Sequence, residues 1–319
     1  MTWLVEPVVP ADRAAQHAPD LLLIARDGQQ DGARCALWWR ETPQLDGHRV
    51  GAIGQYEASD ESAASALLAE ACRLLAERGC HLAVGPMDGN TWQKYRFVIE
   101  RGTEAPFLME PTNPESWPAH FATAGFSPLA YYFSALNADL TVRDARLPEL
   151  HSRFVEREVT LRTLRMDDFE AELQRIYGVA EHAFTDNYLY TPISFDQFAT
   201  QYRASAAVVV PELVIIAEQA DTPVGFSFSI PDLLERRRLP QPRTVILKTV
   251  AVLPDRSRFN GLGALMIDAT HVAARRLGFT RVIHALMHES NQSLRISAGT
   301  AVTMRRYALF ARPLVSAPT

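Results

Sequence analysis

Apolar and polar positions alternate along this chain in two repeating schemes, one of period two and one of period 3.6. Leu21–Ala25 and Ala33–Arg40 flank the turn sequence DGQQDG and predict a β-hairpin, and Arg49–Tyr56 predicts a third strand. The following segment, SDESAASALLAEACRLLAERG, opens on Ser, Asp and Glu, keeps one apolar face and stops at Gly79, which predicts a capped helix. Cys80–Val84 then predicts a short strand, PESWPAHFATAGF a short helix and LAYYFSAL a closing strand. The second half runs in similar order. Val159–Leu164 predicts a strand, Met166-Asp167-Asp168 a helix start, and Leu213–Glu218 and Val224–Ile230 two further strands. After these come a β-branched run through Val252, a helix ending at Gly278 and a strand over Arg281–Asn291, with SLRISAGTAVTMRRY as the next helix and its exit. The two halves are consistent with a single duplicated unit.

Composition narrows the class of protein. A chain of 319 residues with 47% hydrophobic content is long enough for two domains of ordinary size. A net charge of −5 and a pI near 6.0 argue against nucleic acid as the main partner. Cys35, Cys72 and Cys80 form no CxxC pair and no metal-ligand spacing with His, so they read as buried thiols in a reducing compartment. No apolar stretch of 18 residues occurs, and the N-terminus lacks a basic region followed by an apolar one. The expectation is a cytoplasmic protein without membrane contact, monomeric or homodimeric.

The chemistry concentrates in Leu247–Gly263, LKTVAVLPDRSRFNGLG, where an apolar strand meets a glycine-spaced turn and a helix start. Unpaired N–H groups and the helix dipole make such a helix N-terminus a cradle for anions. A P-loop is excluded because no Lys follows the glycines, and a dinucleotide fingerprint is poor because Met266 takes the third glycine position. What remains is [Gln/Arg]-x-x-Gly-x-[Gly/Ala], occupied by Arg258-Phe259-Asn260-Gly261-Leu262-Gly263 and preceded by Val252-Leu253-Pro254.

This pattern resembles motif A of the GNAT (GCN5-related) acyl-CoA N-acyltransferases over roughly Val159–Leu314, and more weakly over the first half. The resemblance implies an α/β fold of two GNAT-like domains, each a mixed, mostly antiparallel sheet flanked by helices. Residues 1–136 would form a degenerate domain, 137–158 a linker and 159–319 the acyl-CoA-binding domain. The first half carries EASDE where the second has Arg258 and two glycines, and those carboxylates would repel a pyrophosphate. The implied cofactor is acetyl-CoA or another acyl-CoA. It would be held by Val250, Val252, Arg258, Phe259, Asn260, Gly261, Leu262, Gly263 and Ala264, with Asn291 at the end of the following strand. The implied reaction is direct attack of a small-molecule or peptide amine on the thioester, with an oxyanion donor on the backbone near Val252.

Candidate bases are His288 and Glu289, with His284 two alternations before His288 and on the same face of a regular strand. Two departures stand out. Pro254 to Arg258 is one step longer than usual in the family, and the position of the thiolate-protonating Tyr holds Ser297. Asp186, Asn187 and Tyr190, in an aromatic-rich segment, are the expected acceptor-site residues, and Arg236-Arg237-Arg238 reads as a solvated turn. Two alternatives stay open: a non-catalytic acyl-CoA-binding protein, and a transferase of a different acyl group.

Overall fold

A computed structural model describes residues 2–10, 17–290 and 300–314. The first half contributes β1 (Leu4–Val8), β2 (Leu21–Asp27), β3 (Gln30–Trp38), β4 (Gln44–Leu45), β5 (His48–Ala58), α1 (Glu61–Glu77), β6 (Leu82–Gly85), β7 (Phe97–Glu100), α2 (Trp117–Thr123) and β8 (Ser127–Asn137). The second contributes α3 (Leu147–Glu156), β9 (Val159–Thr163), α4 (Phe169–Ala183), α5 (Phe195–Arg203), β10 (Val214–Gln219), β11 (Thr222–Pro231), β12 (Thr244–Val252), α6 (Arg256–Phe259), α7 (Leu262–Arg276), β13 (Arg281–His288) and β14 (Val302–Pro313). The expected α/β class holds. The hairpin, the capped helix and the strand–turn–helix of the second half all form where the pattern placed them.

Each half builds the same unit: three antiparallel strands, a long helix, and a strand parallel to the third. In the first this is β2–β3–β5, α1 and β6; in the second it is β10–β11–β12, α7 and β13. The two helices are held by alanines and leucines at helical spacing. Ala63, Leu67, Ala71 and Leu75 are fully buried on α1, and Leu262, Met266 and Ala274 on α7. Both stop at a glycine with positive φ, Gly79 at 77° and Gly278 at 88°.

The two units form one continuous sheet, ordered β1-β2-β3-β5-β6-β14-β8-β13-β12-β11-β10-β9. They do so by exchanging their last strands. β14, the last strand of the second half, pairs with β6 of the first half, while β8 of the first half pairs with β13 of the second. Val302–Tyr307, read in the sequence as part of a helix exit, is therefore extended strand at the centre of the molecule. Residues 291–299, with Asn291 and Ser297, lie outside the described ones. The segment 137–158, read as a linker, carries α3, which packs on α7.

A buried relay ties the junction. Leu286 N–H donates to Ser134 Oγ (3.1 Å), Ser134 meets the Tyr307 hydroxyl (2.9 Å), and Tyr307 donates to Glu110. Arg305 neutralises Glu110 at 2.6 Å. Burial pushes the Glu110 carboxyl up against these stabilising contacts. Four segments distant in sequence are thus locked around one point of β13.

Candidate active site

β12 and β13 run parallel from Thr244↔Arg281 to Leu247↔His284, and there their pairing ends, although β12 continues to Val252 and β13 to His288. Both strands also bulge at this point. Against β11, Leu247 faces Ser229 and Thr249 faces Phe228, so Lys248 is the extra residue. Against β8, His284 faces Ala135 and Met287 faces Phe133, and Leu286 adopts a φ of 60° in the bulge. The parting of the strands therefore begins at Lys248, four residues before Val252.

The glycine turn lies beyond the open end of β12. Gly261 has a φ of 93°, a conformation that L side chains rarely adopt, and a Cβ there would lie 2.7 Å from Leu150 Cδ2 on α3. Gly263 has ordinary room, since its Cβ would meet only Val250 Cγ1 at 3.5 Å. α7 starts at Gly261 with no side-chain cap and no acidic residue in its first turn, so its leading N–H groups are offered outward. Phe259, Leu262 and Ala264 point into the core and can contribute to a ligand site only through their backbone, while Asn260 is exposed. Val250 and Val252 are half-buried on the open strand.

Arg258 is exposed and bonds Gln219 Oε1, and its backbone N–H is taken by Asp255. From α3, Arg153 donates to the Asn260 carbonyl and Arg157 to the carbonyls of Ser257 and Arg258. The cradle is thus rimmed by three arginines, two of them absent from the sequence pattern. This donor set fits a pyrophosphate. Arg236–Arg238 lie at the opposite end of β12, where Asp232 N–H donates to the Thr244 carbonyl, and are solvated as expected.

His288 differs from its sequence expectation. A regular strand would place His284 and His288 on one face, but the bulge at Leu286 turns them apart. His284 faces α7, with its Nε2 3.0 Å from His271 Nε2, and burial holds the two imidazoles near pKa 3 and 4, so both are neutral. His288 instead stacks on Tyr188 (5.2 Å) and meets Tyr132 edge-on (5.0 Å). Its Nδ1 accepts the Ser290 backbone N–H at 3.1 Å, so the neutral ring carries its proton on Nε2. Nε2 is buried and has no hydrogen-bond partner among the described residues. Burial lowers the His288 pKa, with Glu289 opposing the shift. Glu289 is exposed, and its carboxylate accepts the Tyr131 N–H at 3.1 Å, which pins β13 to β8.

In the acceptor segment Asp186 and Asn187 are exposed, and Tyr190 lies beside Trp92, with ring centroids 6.2 Å apart. Their neighbour Tyr188 is the one that reaches His288. The segment is moored on the first half through Trp92 Nε1, which donates to the Thr191 carbonyl at 2.8 Å.

Two cations that the sequence reading did not single out complete the site. Arg96, 7% exposed and at a φ of 71°, lies over the rings of Tyr95 (3.8 Å) and Tyr132 (4.2 Å) and donates to the Leu286 carbonyl at 3.1 Å. Lys248 sits on the bulge, and burial followed by the Arg96 charge brings its pKa down to about 8. A signal for Lys248 was present: the chain has two lysines, Lys94 on the surface and Lys248 as the one charged residue of its strand. Arg96 had no such signal, because its place depends on a contact 190 residues away.

No protein-family profile matches the chain. It is 26% identical over 208 residues to protein YghO of Escherichia coli (strain K12), covering 61% of this chain and 52% of that protein. It is 25% identical over 226 residues to the bacterial ceramide synthase of Caulobacter vibrioides, covering 69% and 58%. The chain thus spans somewhat more than half the length of these curated relatives. Among solved structures, a glucosamine N-acetyltransferase region of a fungal multidomain β-N-acetylglucosaminidase superposes with a TM-score of 0.56, at 14% identity over 92% of this chain and 33% of that one. A GCN5-related N-acetyltransferase from Sphaerobacter thermophilus gives 0.52, at 15% identity over 92% and 80%. A tandem GNAT protein from the clavulanic acid biosynthesis pathway gives 0.50, at 12% identity over 95% and 86%. The fold of this chain is that of a tandem GCN5-related N-acetyltransferase protein.

Proposed function

We propose that this protein is an acyl-CoA-dependent N-acyltransferase whose reaction site is the parting of β12 and β13. The observation that carries this reading is the uncapped start of α7 at Gly261, placed beyond a strand edge that has no strand partner among the described residues. The cradle N–H groups, with Arg153, Arg157 and Arg258 at its rim, would hold the CoA pyrophosphate. The open edge of β12 over Val250–Val252 would carry the pantetheine arm. CoA supplies the acyl group as a thioester. The amine nitrogen bonds to the acyl carbon, the carbon–sulfur bond breaks, the thiol leaves and the amine gives up a proton.

His288 presents a donor, Nε2–H, to the site, so in this arrangement it supports the developing oxyanion or orients the acceptor. Accepting a proton at Nδ1 would require release of the Ser290 N–H. The acceptor enters on the α4–α5 side, past Tyr188. The transferred group is acetyl in the first reading. The relative named as a bacterial ceramide synthase favours a second, transfer of a longer acyl chain, because a ceramide is a fatty-acid amide. The test is thiol release from acetyl-CoA and from palmitoyl-CoA across a panel of primary amines. Amine-dependent release supports the proposal, and the better donor selects between the two readings. Tight acyl-CoA binding without release under any amine would leave a binding protein in place of an enzyme.

A further inference from the structure

Lys248, Arg96 and His288 reach the parting of the strands from three different segments, and each brings a donor without an acceptor. Arg96 spends one nitrogen on the Leu286 carbonyl, while its Nε is buried with no partner among the described residues. His288 Nε2–H is buried and unpartnered there too. Lys248 forms no ion pair among the described residues, and the charged group acting on it is Arg96. The neighbours contributed by the other elements are aromatic: Tyr95 before β7, Tyr132 on β8 and Tyr188 after α4. The nearby carboxylate, Glu289, is solvent-exposed and engaged with the Tyr131 N–H. A buried arginine beside a half-buried lysine, with no carboxylate paired to either among the described residues, is unfavourable by itself, and a Met or Leu at 248 would suit the strand better. Such an arrangement is stabilised when an anion enters it.

We infer that the acceptor amine carries an anionic group, a carboxylate or a phosphoryl group, which seats among Lys248, Arg96 and the His288 Nε2–H where β12 and β13 separate. This rests on reading that gap as the reaction site. Charge recognition there would orient the substrate by its anion and leave its amine free to face the acyl group. It would also select against neutral amines, for which both cations remain uncompensated.

The test titrates the full chain with inorganic phosphate and with acetate, at ionic strength held constant with sodium chloride, for wild type, Lys248→Met, Lys248→Arg and Gly263→Asp. Wild type is expected to bind at least one of the two anions, and the stronger identifies the phosphoryl or the carboxylate source. Lys248→Met should weaken that binding at least tenfold, and Lys248→Arg should keep it within about threefold. Gly263→Asp should remove any anion binding that belongs to the α7 cradle and leave the Lys248-dependent binding in place. Anion binding that is equal in wild type and Lys248→Met, or absent from wild type, overturns the inference. A second readout compares turnover of ethanolamine, serine and O-phosphoethanolamine. Equal rates for the neutral amine and both anionic ones also overturn it. Failure of the acyltransferase reading would show separately, as loss of acyl-CoA binding to wild type.

Discussion

The two halves of this molecule share a fold and differ in what they do with its free backbone donors. In the first half the start of α1 is closed by its own cap: Asp60 accepts the N–H groups of Ser62 and Ala63 at 2.9 and 3.0 Å, and these bonds hold its carboxyl below the usual range. In the second half α7 has no such cap. The parallel pairs differ in the same way. β5 and β6 part after Ala52↔Val84, but the chain turns back into the gap. Met87 N–H reaches the Ile53 carbonyl at 2.8 Å, and Asp88 accepts the Gln55 N–H at 2.7 Å. β12 and β13 part after Leu247↔His284, and among the described residues no backbone hydrogen bond closes the gap, where Arg96 meets the Leu286 carbonyl instead. On the proposed reading, the half that holds CoA is the one whose own side chains have not already taken the donors a cofactor would use.

Four substitutions break or sharpen this contrast. Gly263→Asp has the largest expected effect. The site has room for the side chain, so the fold should survive, yet a carboxylate in the first turn of α7 reproduces the closed state of α1. CoA affinity, measured by titration calorimetry, should fall about 100-fold, which is about 2.7 kcal/mol. Gly54→Ala tests the filled gap. Its Cβ would lie 2.3 Å from Asp88 Oδ1 and 2.5 Å from the Met87 carbonyl oxygen. Urea unfolding should show a loss of about 2.5 kcal/mol with CoA binding retained.

Lys248→Met should move stability the other way. The lysine pKa falls from 10.5 to about 8 in the folded chain, so protonation there opposes folding. The penalty is full below pH 8 and is relieved as pH rises toward 10.5, where the unfolded chain binds the extra proton. The variant should gain about 2 kcal/mol at pH 7 and lose the rise in stability between pH 8 and 10.5, both read from denaturant midpoints. Asp60→Ala is the smallest, a loss of about 1 kcal/mol. It should create no second CoA site, because the gap beside it stays filled by Asp88.

The motif, its strand and its helix were legible because they are local: Gly261 is required by a φ of 93°, and the glycine spacing carries that requirement in the sequence. The Asp60 cap was legible as a cluster of carboxylates, although the sequence suggested repulsion and the structure adds direct occupation of the N–H groups. What was not legible depends on pairing between distant segments. The exchange of β8 and β14 is decided by edges that meet only in the folded sheet. The bulge at Leu286 separates His284 from His288, and no alternation count reveals a bulge. Tyr188 packs on His288 while Asp186 and Asn187 are exposed, in a segment moored by Trp92, about a hundred positions earlier.

The most direct test of the account is the stoichiometry of CoA binding to the full chain by titration calorimetry, in wild type, Gly263→Asp and Asp60→Ala. The expected result is one CoA per chain, lost or strongly weakened in Gly263→Asp and unchanged in Asp60→Ala. Two CoA molecules per chain, or binding that survives Gly263→Asp, would contradict the claim that α7 alone offers an open cradle.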